Sequence, residues 1–287
     1  MVVAEVAAGR ISRVAPDSAT SVVAKPGGGP NGLALGPDGK LYVCNNGGCF
    51  TWIDHGAGLI PGPHDSKGYT GGRIERVDLD TGATEVLYTE CGGRPLRAPN
   101  DLVFDADGGM WFTDFGIGTE RQHDRGAIYY ATADGSDIRE VIFPLDSPNG
   151  ISLSPDGKRL YTAETYTGRV FWWDVTDSGA VALVPGLLPH GGTLLRGLGG
   201  ERTVTALDSM AVDGEGWVCV ATLLAGGITA VSPDGEETEF HHTGDLMTTN
   251  ICFGGEGLTT AYVSLSSSGQ LAAMPWPRPG LKLAFGR

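Results

Sequence analysis

One phrase occurs five times in this chain: a loop residue, an apolar strand, a turn rich in Asp and Gly, and a second apolar strand. The copies read PNGLALGPDGKLYVCN (30–45), PNDLVFDADGGMWFTD (99–114), PNGISLSPDGKRLYTA (148–163), LDSMAVDGEGWVCVAT (207–222) and TNICFGGEGLTTAYVS (249–264), and they start 42 to 69 residues apart. A strand–turn–strand unit recurring at that spacing signals a radial array of small sheets. Each copy is led by an oxygen-bearing side chain: Asn31, Asn100, Asn149, Asp208 and Asn250. A radial array would bring these five to one axis.

A second hairpin follows each phrase, clearest in GRIERVDLDTGATEVLY (72–88), GAIYYATADGSDIREVIF (126–143), GRVFWWDVTDSGAVALV (168–184) and GGITAVSPDGEETEFHH (226–242). The D-x-x-T-G, D-G and S-P-D-G pieces supply its turns. Two hairpins make a four-stranded antiparallel sheet, which is one propeller blade. First-hairpin strands such as LVF and MWF are apolar on both faces, as strands packed between neighbouring blades would be. Residues 9–24 match the second hairpin of a blade with only VVAEV (2–6) before them. The expectation is therefore an all-β, six-bladed propeller, one domain over 1–287, whose first blade is truncated at its N-terminal side. Inner strands of blades two to six should begin near residues 32, 101, 150, 209 and 251. An open β-sandwich would not need such equal modules.

Composition narrows the partners. The formal net charge is −14, from 20 basic and 34 acidic residues, and no basic stripe is present. That argues against nucleic acid or an anionic membrane as partner. No run of about 18 apolar residues offers a membrane span. The start MVVAEVAAGRISRV lacks the parts of a signal peptide, so a cytoplasmic location is expected. The five cysteines are an odd count. Cys91, Cys219 and Cys252 fall in or beside expected strands as buried thiols. Cys44 and Cys49, in CNNGGC, could close a small disulfide but are expected free in a reducing compartment.

The ordered series A-P-N-D-L-V-F-D…G-x-M-W-F-T-D-F-G, then S-P-N-G-I-S-L-S-P-D-G-K-x-L-Y, then L-D-S-M-A-V-D-x-E-G-W-V-C-V-A, then N-I-C-F-G-G resembles the regucalcin/gluconolactonase/luciferin-regenerating enzyme family over essentially residues 1–285. The resemblance implies a six-bladed propeller with a divalent cation at the mouth of the central channel. It implies Asn149 and Asp208 as metal ligands, and Asn100 beside the metal, touching it directly or through substrate or water. Asp101 takes the place of a substrate-side polar group, and Glu120 and Arg121 lie in a loop that lines the substrate side in similar proteins. The family's further ligand, a Glu in an E-G-P motif of blade one, has no counterpart. By repeat phase its segment falls upstream of residue 1, so the expectation is either a native chain longer at its N-terminus or a site reduced to one carboxylate. Ca²⁺ is the expected cation, with Mg²⁺, Zn²⁺ or Mn²⁺ as alternatives, since hard cations take carboxylate and amide oxygens.

Each candidate also has a structural reading. Asn and Asp at strand starts cap turns through side-chain–backbone hydrogen bonds, and Asn31 and Asn250 fit that as well as substrate contact. Asp208 is the strongest candidate, because a carboxylate facing a narrow channel needs a cation or a donor to offset its burial. No H-x-x-x-H spacing, no G-x-S-x-G elbow and no phosphate loop is present. His123, in GTERQHD, reads as a loop histidine that could reach the mouth. The long segment 45–72 carries Phe50, Trp52, Ile53, Leu59 and Ile60, which could form an apolar lid or pack on a neighbour. The function expected is metal-assisted hydrolysis of a lactone or related ester, with Asp208 and Asn100 at the chemistry and a small-molecule substrate. Sugar lactone, aliphatic lactone and organophosphate are all open. The alternatives are a non-catalytic ligand- or protein-binding propeller and a metal-independent lyase or cyclase of the strictosidine-synthase-like type.

Overall fold

The computed structural model describes residues 1–65, 67–199 and 204–286. The expected propeller is what it contains: six sheets follow one another along the chain, and no α-helix is present among the described residues. Blade three shows the repeat in full. Its strands Pro99–Phe104, Gly109–Asp114, Gly126–Thr132 and Ile138–Leu145 pair antiparallel in chain order. Blades two and five repeat that order around inner strands Pro30–Leu35 and Ala206–Val212; blade four, from Pro148–Leu153, has five strands, its third strand Arg169–Asp177 pairing with both Ala180–Val181 and Thr193–Gly197. Blade six has three strands, from Thr248–Gly254 outward. Blade one also has three, with Val2–Glu5 innermost, then Arg10–Val14 and Thr20–Ala24.

The second strand of a blade is sandwiched on both faces, so it reads as a continuous apolar run. Leu41–Asn45 and Gly109–Asp114 are buried at every position. Successive blades are joined by apolar clusters, from Ile11 with Val43 between blades one and two, to Ile228 with Trp276 between blades five and six. The blade three/four cluster holds Trp111 and Trp173, both at most 1% exposed. Truncating either to Ala should cost about 3–5 kcal/mol. Between blades six and one the facing residues, among them Val3, Tyr262 and Ser264, line part of a cavity.

Residues 276–286 cross the far end of the channel. Arg278 donates to Asp213 at 2.6 Å and to Glu239 at 3.0 and 2.9 Å, and stacks on Trp217 at 4.1 Å. Phe285 then reaches Phe104 of blade three, ring to ring at 5.9 Å. Among the described residues no helix is long and apolar enough to cross a membrane. The cysteines are free; Cys44, Cys49 and Cys219 are buried, Cys91 is half-buried, and Cys252, expected buried, is exposed.

Candidate functional site

The inner strands begin at Pro30, Pro99, Pro148, Ala206 and Thr248, two or three residues before the positions expected. The reason is a β-bulge at the same place in each. Pairing starts ahead of the leading residue and then slips over it, so that in blades two to five two residues oppose one. Pro30 pairs with Asn45 but Leu33 pairs with Val43, and the same shift spans Pro99/Leu102, Pro148/Ile151 and Leu207/Met210. A bulge bends the strand and re-aims one side chain. Here it turns Asn31, Asn100, Asn149 and Asp208 into one cavity of roughly 480 Å³ at the head of the channel. In blade six the shift falls between Thr248 and Asn250, so Thr249 holds the leading place and Asn250 pairs with Ser264. Both line the cavity.

The next residue of each bulge faces the neighbouring strand, and small residues make the approach possible. A Cβ on Gly32 would lie 2.6 Å from the Asn100 carbonyl oxygen, and one on Gly150 would lie 2.7 Å from the Met210 nitrogen. Asp101 holds that place in blade three and, instead of lining the cavity, is buried, 7% exposed. It accepts the Leu102 N–H at 2.9 Å. Burial pushes its carboxyl up to about 6, against the lowering effect of Leu102, the Ser209 hydroxyl and the Ile151 and Met210 N–H groups. Asp101 thus turns its carboxyl away from the cavity toward polar groups of blades four and five.

Asp208 is the only charged side chain among the described residues that line the cavity. It is half-buried, and desolvation by the surrounding protein is the main reason its carboxyl is pushed up to about 7; the Ser209 N–H and the Asn149 side chain oppose the rise, and the charge of Asp101 adds to it. Asn149 donates from Nδ2 to Thr165 Oγ1 at 3.1 Å. Its Oδ1 is buried without a donor, and so is Oδ1 of Asn100. An unpaired buried acceptor costs about 1–3 kcal/mol. Two of them on neighbouring blades, sharing a cavity with the half-buried Asp208 carboxylate, form a set of oxygens suited to a cation or a donor group. No three His, Cys, Asp or Glu side chains cluster to hold a metal among the described residues.

In blades two, three and four the second strand ends in a polar side chain that pins the loop before the bulge. Asp114 accepts Ala98 N–H and Arg97 N–H, both at 2.7 Å, and Gly116 N–H at 3.0 Å. Asn45 accepts Gly29 N–H at 2.9 Å and donates to Glu75 at 2.9 Å, and Glu164 accepts Asp146 N–H at 2.8 Å. The leading residues are therefore held from behind by satisfied polar groups.

Residues 1–267 match the SMP-30/Gluconolactonase/LRE-like region. The chain belongs to that family. A gluconolactonase of Zymomonas mobilis is 28% identical over 279 residues, 88% of this chain and 68% of that protein. The lactonase drp35 of Staphylococcus saprophyticus is 32% identical over 157 residues, 54% of this chain; the match spans only 41% of that protein. Among solved structures, a gluconolactonase of Xanthomonas campestris superposes with a TM-score of 0.72 over 96% of this chain and 81% of that one. At 22% identity that likeness is one of fold.

Within this family member several expected contacts fall elsewhere. Glu120 is exposed and is not among the cavity's lining residues, because the 116–125 loop turns back on itself through the Gly118–His123 bridge. His123 is exposed too; it sits 3.2 Å from Ser147 Oγ and packs edge-on against Tyr166. The segment 45–72 supplies a hairpin, Phe50–Asp54 with Leu59–His64. Phe50, Trp52 and Leu59 line the cavity, whereas Ile53 points out at 48% exposure and Ile60 does not line it. Sequence reasoning missed a second ring of lining residues, Phe115, Thr165, Tyr166, Leu224 and Ser266. All follow the second strand of a blade, so the same repeat phase could have found them.

Proposed function

We propose that this protein is a lactone hydrolase that works with a divalent cation held at the cavity floor. The family and the names of its relatives support the reaction class. The observation that carries the site is the pair of orphaned amide oxygens, Asn100 Oδ1 and Asn149 Oδ1, in one cavity with the Asp208 carboxylate. Hard cations take such oxygens, and Ca²⁺ tolerates an irregular shell of them. Asp208, Asn149 and Asn100 would hold it, and when bound it polarises an ester carbonyl as a Lewis acid.

Asn100 and Asn149 orient the lactone against the floor. Ionised Asp208 accepts a proton from water as the water oxygen adds to the carbonyl carbon. The bond between the acyl carbon and the ring oxygen breaks, the ring oxygen takes up the proton and leaves as a hydroxyl, and a hydroxy acid is released. Acid release from a lactone panel, followed with a pH indicator in calcium and in chelator, tests the reading. Asp208→Asn should lower the rate by about 100-fold or more. An unchanged rate would overturn the site, and no acid from any lactone would overturn the reaction class.

A further inference from the structure

The cavity has two unlike walls. Its floor is the ring of amides and hydroxyls with Asp208, whereas its roof is the hairpin that leaves blade two and crosses to blade six. The crossing is built. His55 Nε2 sits 3.1 Å from the Ser267 carbonyl, and Gly58 is pressed against the same carbonyl, where no side chain would fit. Asp245 in turn holds the receiving turn, accepting Ser268 Oγ at 2.8 Å and Ser268 N–H at 3.0 Å.

Alternation along the hairpin sends Phe50, Trp52, Leu59 and Pro61 toward the cavity, with Trp52 paired opposite Pro61. Phe115 and Tyr166 face in from the next two blades, and their rings meet edge to face at 5.7 Å. Among the described residues the roof therefore offers aromatic and aliphatic surface and no charged group. A sugar lactone carries hydroxyls all round its ring. Those turned to this roof would lose water without gaining partners, and each such loss is penalised. An alkyl or aryl substituent would bury apolar surface there at a gain. A volume of roughly 480 Å³ holds such a group together with a lactone ring.

We infer that the substrate is an amphipathic lactone whose ester lies on the amide floor and whose apolar substituent lies under Trp52, in preference to a polyhydroxylated sugar lactone. The inference rests on the lactone-hydrolase reading, and it departs from the activity named for the Zymomonas mobilis relative.

The test is kcat/KM, in calcium, for γ-lactones with unbranched substituents from methyl to heptyl, beside glucono-δ-lactone. The value should rise roughly threefold per methylene until the roof is filled. Trp52→Ala should cut the heptyl-to-methyl ratio by about tenfold or more, and Trp52→Phe should restore most of it. A flat series, or glucono-δ-lactone as the best substrate, would overturn the inference while leaving the reaction class standing. Failure of every lactone would overturn the reaction class and the inference with it.

Discussion

Gly150 brings Asn149 and Asp208 together. The inner strands of blades four and five approach so closely that a Cβ at residue 150 would lie 2.8 Å from the Asp208 carbonyl oxygen and 2.7 Å from the Met210 nitrogen. The bulge that holds Gly150 is the one that aims Asn149 into the cavity. Strand spacing and site geometry are thus set by one residue.

Gly150→Ala should therefore force these strands apart. We expect a loss of about 1–3 kcal/mol, the usual range for overpacking, together with weaker calcium binding, measured by urea unfolding and by calorimetric titration. An unchanged unfolding midpoint would show that the strands are not held as described.

Asp208 makes the stability of the metal-free protein depend on pH. Its folded value of about 7 stands above the ordinary 3.8, so the folded state binds the proton more tightly than the unfolded chain. That contribution is fully present below about pH 4 and is lost as pH rises through 7. Asp208→Asn should escape the loss and unfold at higher urea than wild type at pH 8 in chelator, by on the order of a few kcal/mol. At pH 4 the difference should vanish; a gap of the same size at both pH values would exclude ionisation of Asp208 as the cause.

Calcium should raise the melting temperature of the wild type, by an amount equivalent to about 2.7 kcal/mol at one hundred times Kd. Asn100→Leu removes an orphaned oxygen, so it should stabilise the chelator-treated protein by about 1 kcal/mol while shrinking the calcium shift. A calcium shift that survives both Asn100→Leu and Asp208→Asn would place the cation elsewhere.

Asp114 touches no part of the cavity, yet it accepts three backbone N–H groups around the Pro99–Asn100 bulge. Asp114→Ala leaves those donors buried without partners and should cost about 3 kcal/mol or more. Asp114→Asn keeps one acceptor oxygen and should fall between the two in a thermal melt; an Asp114→Ala melt equal to wild type would deny the loop-pinning role.

Much of this protein is local in origin and could be read in order along the chain. Each blade is built from hairpins whose turns lie within the repeat, so counting phrases located the blades. The same phase named Asn31, Asn100, Asn149 and Asp208, which reach the cavity together. The bulges were hidden, because two residues opposing one is a property of a strand and its partner, and that moved the leading place in blade six from Asn250 to Thr249. Asp101 looked like a cavity group until the neighbouring strands showed donors from Ser209, Ile151 and Met210 converging on it. The hairpin over the mouth was visible as a long apolar segment, but its docking on Ser267, more than 200 residues away, belongs to tertiary structure alone. Periodicity within a repeat determines which residues share a ring, and packing between strands distant in sequence decides which of them face the space inside it.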